Sequence, residues 1–405
     1  MIDVMVTMRV NEEPLTLFGK VDEKENRIVL NYQILSKAVS EVDLIHHRPM
    51  DIPLLDTEAH NYTAYGCKFT KQTTSISAYT VQVEGTFTRL LKERNLGATY
   101  NSVSFSFTGI EKIFPLDCFS TQSEEGSTPL TFTKELGQRL EYTLMDSISC
   151  RVESTFAGVK SSSRMYDLCV KQSKTMVFNL PDKHSVDALL VFVVRVKQYF
   201  EFILGQEIGL RDVAFYNKEA PGMERGEIIF EPLLLPKTFL RTVKDNPYRE
   251  SFDTLFAGLN GWMVNYDAYQ RVIEIWQKSI YNLSVSKEDL FIWRCQAFEL
   301  LCTLNPDIFQ KADSLKAHKQ QYPNLKNFLS AIKALYGIIN VQPEYFRDVK
   351  DVRDVLTHNN PTKSVSDNQK KNSYSIMEVA LSKAMAQIFG IKGIPTSLGL
   401  GKAGI

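Results

Sequence analysis

The chain has 405 residues, 44% of them hydrophobic and 23% charged, with a formal net charge of zero. This is ordinary globular composition, long enough for two or three domains and too poor in cysteine for a disulfide-stapled secreted protein. The balance hides an asymmetry: from Lys237 onward there are 22 Lys+Arg and 16 Asp+Glu, a net +6, and before it 25 and 31, a net −6. A basic half joined to an acidic half fits contact with phosphate, and equally fits a solvated lysine-rich helical face.

Met1 to Val10 lacks the charged start and apolar core of a signal peptide. The most apolar run, Ala188 to Val196, is interrupted by Arg195 and is far shorter than the ~20 residues of a membrane span. The six cysteines (Cys67, Cys118, Cys150, Cys169, Cys295 and Cys302) include no Cys-x-x-Cys pair, which argues against a zinc knuckle or a thioredoxin-like site. A cytoplasmic protein with no membrane partner is expected.

Residues 1–120 read as a first β-rich module. Arg27–Tyr32, Ser75–Val83 and Ser102–Phe107 are rich in alternating or β-branched residues, with turn signals at Glu84-Gly85 and Thr108-Gly109. The polar stretch Thr121–Thr128 reads as a dividing loop. A second β-rich module, 121–236, follows, with strands in Leu140–Ser147, Arg151–Phe156 and Thr175–Leu180. It also holds one long amphipathic helix, 185–204, with Ser185 as N-cap and Gly205 as stop. Gly226–Pro232 reads as its last strand.

From about Leu240 apolar residues recur at helical spacing, so 237–405 is expected to be an all-α bundle and the whole chain an α+β multidomain protein. The clearest stripe is Leu290, Trp293, Ala297, Leu300 and Leu301, with Cys295 and Cys302 assigned to the core beside it. A helix from about Tyr345 carries Arg347, Lys350, Arg353 and His358 and stops before Asn359-Asn360-Pro361, because a residue before proline is pushed out of the α region. Thr362–Tyr374 reads as a polar loop and Met377–Ile388 as the next helix.

Arg353, Asp354 and His358 form the constellation that could carry chemistry. Asp354 and His358 are four apart and can touch on one helix face, so the aspartate could orient the imidazole. Arg353 and His358 point about 140° apart on an ideal helix, so one helix cannot easily aim both at one phosphate, whereas two copies meeting across an axis could. Read by spacing alone, the same residues also fit a surface arginine paired with Asp351 or Glu344 and a histidine capping a helix end. Asn359 and Asn360 could bind phosphate or sugar or simply form a turn. Lys350, Lys363, Lys370 and Lys371 could follow an RNA backbone or be solvated, and Tyr374 could stack on a base or anchor the next helix. His46 and His47 have no cysteine or carboxylate at metal spacing and read as a surface loop. No cofactor is expected.

The segment Val352-Arg-Asp-Val-Leu-Thr-His-Asn359 resembles the signature of HEPN domains, an arginine, a polar residue, a short spacer and a histidine on the penultimate helix of a bundle. The helix Leu290-Phe-Ile-Trp-Arg-Cys-Gln-Ala-Phe-Glu-Leu300 is similar to the "QA-hydrophobic-E" helix of the ApeA-like branch, which joins this bundle to a long β-rich region. The resemblance implies an RNA-cleaving enzyme of abortive-infection defence that needs no metal. It implies a homodimer or higher oligomer with a composite site, Arg353 and His358 in the catalytic positions and Asp354 in the polar one. The β-rich region would then sense or regulate, responding to a phage trigger or a regulatory protein. The alternative is a non-catalytic HEPN-like dimerisation module presenting a β-rich domain that binds a ligand or a protein.

Overall fold

The computed structural model describes residues 1–10, 13–33, 48–75, 79–93, 98–114, 119–122, 131–134, 139–145, 147–161, 168–219, 224–231, 234, 251–281, 285–316, 322–337, 339–358 and 364–392. The chain divides into two compact units, 1–194 with 208–236, and 195–207 with 237–405. The expected order of strands first and helices second is what the structure has. Among the described residues no helix is long and apolar enough to cross a membrane.

Strands β1 (Ile2–Val10), β2 (Glu13–Asp22), β3 (Arg27–Gln33), β4 (Met50–Asp56), β5 (Asn61–Ser75) and β6 (Thr80–Thr86) pair in the order β5-β4-β1-β2-β3-β6. β6 also pairs with β5, which closes the six into a barrel. Alternation drives the closure: Val4 and Val6, Leu15 and Leu17, Ile28 and Leu30, Ile52 and Leu54, and Val81 and Val83 are all buried, and they share one core. Successive strand side chains point to opposite faces, so each strand gives one set to the inside.

Two local expectations are corrected here. Ser75–Val83 is not one strand: Ser75 pairs with Thr80 across a hairpin, and Tyr79 sits at φ 49°. Glu84-Gly85 is not a turn but lies inside β6, where Gly85 is paired with Ile28 on one side and Phe69 on the other. A Cβ on Gly85 would stand 2.5 Å from the Lys68 carbonyl oxygen and 2.9 Å from Phe69 Cα. The glycine marks the close approach of backbones where the barrel shuts, a common reason for glycine within a strand.

An open sheet extends from the barrel through β7 (Arg89–Glu93), β15 (Glu224–Phe230), β14 (Leu210–Asn217), β8 (Tyr100–Phe107), β13 (Leu168–His184), β12 (Ile148–Ser161) and β11 (Arg139–Leu144). Strands from 1–120 and from 121–236 therefore alternate within one sheet. A one-turn helix, α1 (Ile110–Ile113), follows Gly109. A separate hairpin joins β9 (Phe119–Gln122) and β10 (Thr131–Lys134), so Thr121 and Gln122 are strand rather than loop, and 123–128 lies outside the described residues.

One face of the open sheet carries Val103, Phe105, Val152, Met176 and Phe178, all buried. It meets the start of the long helix α2 (Val186–Leu204), where the Phe178 and Phe192 ring centroids are 5.2 Å apart. Ser185 caps α2, its hydroxyl accepting from Ala188 N at 3.4 Å, and Gly205 ends it at φ 61°. The end of α2, from Arg195, is grouped with the second unit.

That unit contains α3 (Phe252–Tyr281), α4 (Lys287–Leu304), α5 (Pro306–Leu315), α6 (Leu325–Tyr336), α7 (Glu344–His358) and α8 (Asp367–Ile388). Trp262 is fully buried amid Tyr199, Phe202, Tyr266 and Phe389 rings, and its indole N–H donates to the Arg195 carbonyl at 3.1 Å. On α4 the buried face is Phe291, Cys295, Ala297, Phe298, Leu301 and Cys302, whereas Leu290, Trp293 and Leu300 are only half-buried. The expected stripe was thus rotated from the true one; the cysteines lie in the core as expected. Thr362–Tyr374 is also corrected: α8 begins at Asp367, ten residues before Met377. Ser366 accepts from Gln369 N while the Gln369 side chain accepts from Ser366 N, a capping box that starts a helix in polar sequence.

Candidate functional site

α7 is set by its buried residues Phe346, Val349 and Val352, which turn Lys350, Arg353 and Asp354 toward α4 and the start of α6. Arg353 Nη2 donates to Glu299 Oε2 at 3.1 Å, and its Nη1 stands 3.6 Å from Asp354 Oδ1. Lys350 Nζ donates to the other oxygen of Asp354, Oδ2, at 2.5 Å, one helical turn away. Asp351, offered as a partner for Arg353, lies 3.8 Å from Arg347 Nε instead.

These four side chains line a recess of about 400 Å³. Phe309, Phe328 and Leu325 give it an apolar wall, and Thr303, Tyr322 and Asn324 complete the rim. Two cations therefore face two carboxylates. Burial pushes the Glu299 carboxyl above its ordinary value, and the Arg353 guanidinium only partly offsets this. A guanidinium has five N–H donors in a rigid fork. The contacts to Glu299 and Asp354 leave it donors with which to hold a phosphate.

His358 is the last residue of α7 and is exposed; it is not among the residues that line the recess. Asn359, Asn360 and Lys363 lie outside the described residues, as do His46 and His47. Lys370 and Lys371 stand on α8, not on a loop. The Tyr374 ring packs against Phe291 with centroids 5.0 Å apart.

Glu299 lines this recess and bonds Arg353, and the sequence alone does not assign it to the candidate site. Its segment, Gln296-Ala297-Phe298-Glu299, was singled out, but nothing in the sequence tied it to an arginine 54 positions away. Burial also pushes up the thiols of Cys295 and Cys302, which suits packing rather than nucleophilic chemistry. Among the described residues no group of three or more His, Cys, Asp or Glu side chains is placed to hold a metal ion. No protein-family model, curated protein or solved structure matches the chain.

Proposed function

We propose that the chain is a metal-independent endoribonuclease of the HEPN kind, acting in abortive-infection defence through Arg353 and His358. One observation carries this reading. The hydrogen bond from Arg353 to Glu299 joins the two segments on which the resemblance rests, making the arginine of one and the glutamate of the other parts of a single recess.

The chemistry follows from the substrate. RNA supplies its own nucleophile, the 2′-OH. His358 takes the hydroxyl proton, the 2′ oxygen attacks phosphorus, and the bond to the 5′ oxygen breaks. A proton reaches the leaving oxygen, giving a cyclic phosphate and a free 5′ hydroxyl. Arg353 holds the phosphate and stabilises the charge that grows on it. In this reading the site is composite: His358 stands outside the recess, and arginine and histidine reach one phosphate from two protomers of a homo-oligomer. Lys350 steers the strand, and the β-rich unit senses the trigger or restrains the nuclease.

A second reading has its own support: Arg353 already faces two carboxylates, as a purely structural arginine in a dimerisation or binding module would. Purified protein incubated with RNA and a chelator separates the two. The enzyme leaves cyclic-phosphate ends, and Arg353→Ala and His358→Ala each lower the rate by ~100-fold or more. Cleavage that both variants retain at the parent rate contradicts the assignment, and intact RNA under every activating condition supports the module.

A further inference from the structure

The second face of the open sheet carries a patch of polar side chains, set out by the strand register. Ser149 on β12 pairs with Asn179 on β13, Asn179 with Ser102 on β8, and Ser102 with Tyr216 on β14. The next row along the same face runs Arg151, Val177, Ser104 and Ala214. The side chains confirm the first row: Ser102 Oγ donates to Asn179 Oδ1 at 2.9 Å, and Asn179 Nδ2 donates to Ser149 Oγ at 2.8 Å. Lys218, just past the end of β14, also donates to Asn179 Oδ1.

The small side chains make a floor and the long ones make walls. Arg151 and Glu153, an ion pair at 2.6 Å, stand on one side of a recess of about 200 Å³; Tyr216 and Lys218 stand on the other. On the far side of Arg151 a second recess, of about 350 Å³, is floored by Ser149 and Asn179. Ser104, only 7% exposed, lines the first recess beside Ser102. A hydroxyl that lines an open recess can both donate to and accept from a ligand.

We propose that this trough binds a sugar phosphate, free or as part of a nucleotide. Hydroxyls and an amide suit sugar hydroxyls, which both donate and accept. Arg151 and Lys218, with Glu153 the one acid in the first recess, leave a single net positive charge for a phosphate. Tyr216, half-buried at the wall of the recess, adds an aromatic ring beside the sugar site. None of these residues enters the chemistry at Arg353.

Calorimetric titration and thermal shift on the full chain test this with four probes: ribose phosphate, AMP, adenosine and inorganic phosphate. AMP binds and raises the melting temperature, and adenosine binds far more weakly. Ribose phosphate matching AMP identifies the sugar phosphate as sufficient; AMP binding alone identifies a nucleotide. Lys218→Gln, at an exposed position, and Ser104→Val each weaken binding by about tenfold with the far-ultraviolet spectrum unchanged. The proposal is overturned if neither phosphate ester binds in the millimolar range, if inorganic phosphate binds as tightly as AMP, or if Lys218→Gln binds like the parent.

Discussion

Each unit of this chain shields a glutamate, Glu93 fully and Glu299 in part, and the two are held differently. In the β-rich unit Glu93 is 3% exposed and accepts from Thr63 Oγ1 at 2.7 Å and Tyr65 OH at 3.2 Å, neutral donors on the neighbouring strand. In the helical unit Glu299 accepts from the charged Arg353, beside a recess open to solvent. Burial pushes both carboxyls up. The first arrangement ties strands together. The second holds a cation where a ligand can reach it, and this is why the functional reading rests on the helical unit.

The largest effect tests how far the helical recess depends on its core. Trp262→Ala removes the ring that four aromatic neighbours enclose and should destabilise this unit by ~3–5 kcal/mol, read from denaturant unfolding. The corresponding break in the barrel is Gly85→Ala. Its methyl group meets backbone on β5, and a cost of about 2 kcal/mol is expected, read as a lower melting temperature with increased dye binding.

The glutamates themselves give smaller effects with a defined sign. Burial lifts Glu93 above its ordinary value of 4.5, so the folded state holds its proton more tightly than the unfolded chain. The stability this contributes is complete below about 4.5 and is lost as pH rises through the folded value. Glu93→Gln keeps a carbonyl oxygen for Thr63 and Tyr65, so it should raise the denaturant midpoint at neutral pH and lose that gain in acid. Glu299→Gln should show the same trend, reduced because Arg353 gives up its partner. Equal gains at the two positions would mean that the arginine contact is worth nothing in solution.

Much of the fold was legible because its signals are local. The alternation of Ile28, Leu30 and Tyr32, the Ser185 cap and Gly205 each depend on neighbours in sequence. The misreadings share a cause in the third dimension. Gly85 looks like a turn until β5 and β3 lie on either side of it. Leu290 and Trp293 fit helical spacing as well as Phe291 and Cys295 do, and packing against α3 and α8 chooses the latter face. Lys370 and Lys371 disguise a helix whose start depends on Ser366 and Gln369. In the site, Arg353 and Asp354 were legible as a motif. Glu299 was not, because only helix packing brings it to the arginine.

In the proposed function Arg353 and His358 act on one RNA phosphate from two protomers. Mixing Arg353→Ala protein with His358→Ala protein tests it most directly, with chelator present and cyclic-phosphate ends as the readout. Each variant alone should be inactive and the mixture should regain cleavage, because hybrid oligomers assemble one intact arginine–histidine pair. A mixture that stays inactive, although subunit exchange is verified and the parent protein cuts, would contradict it.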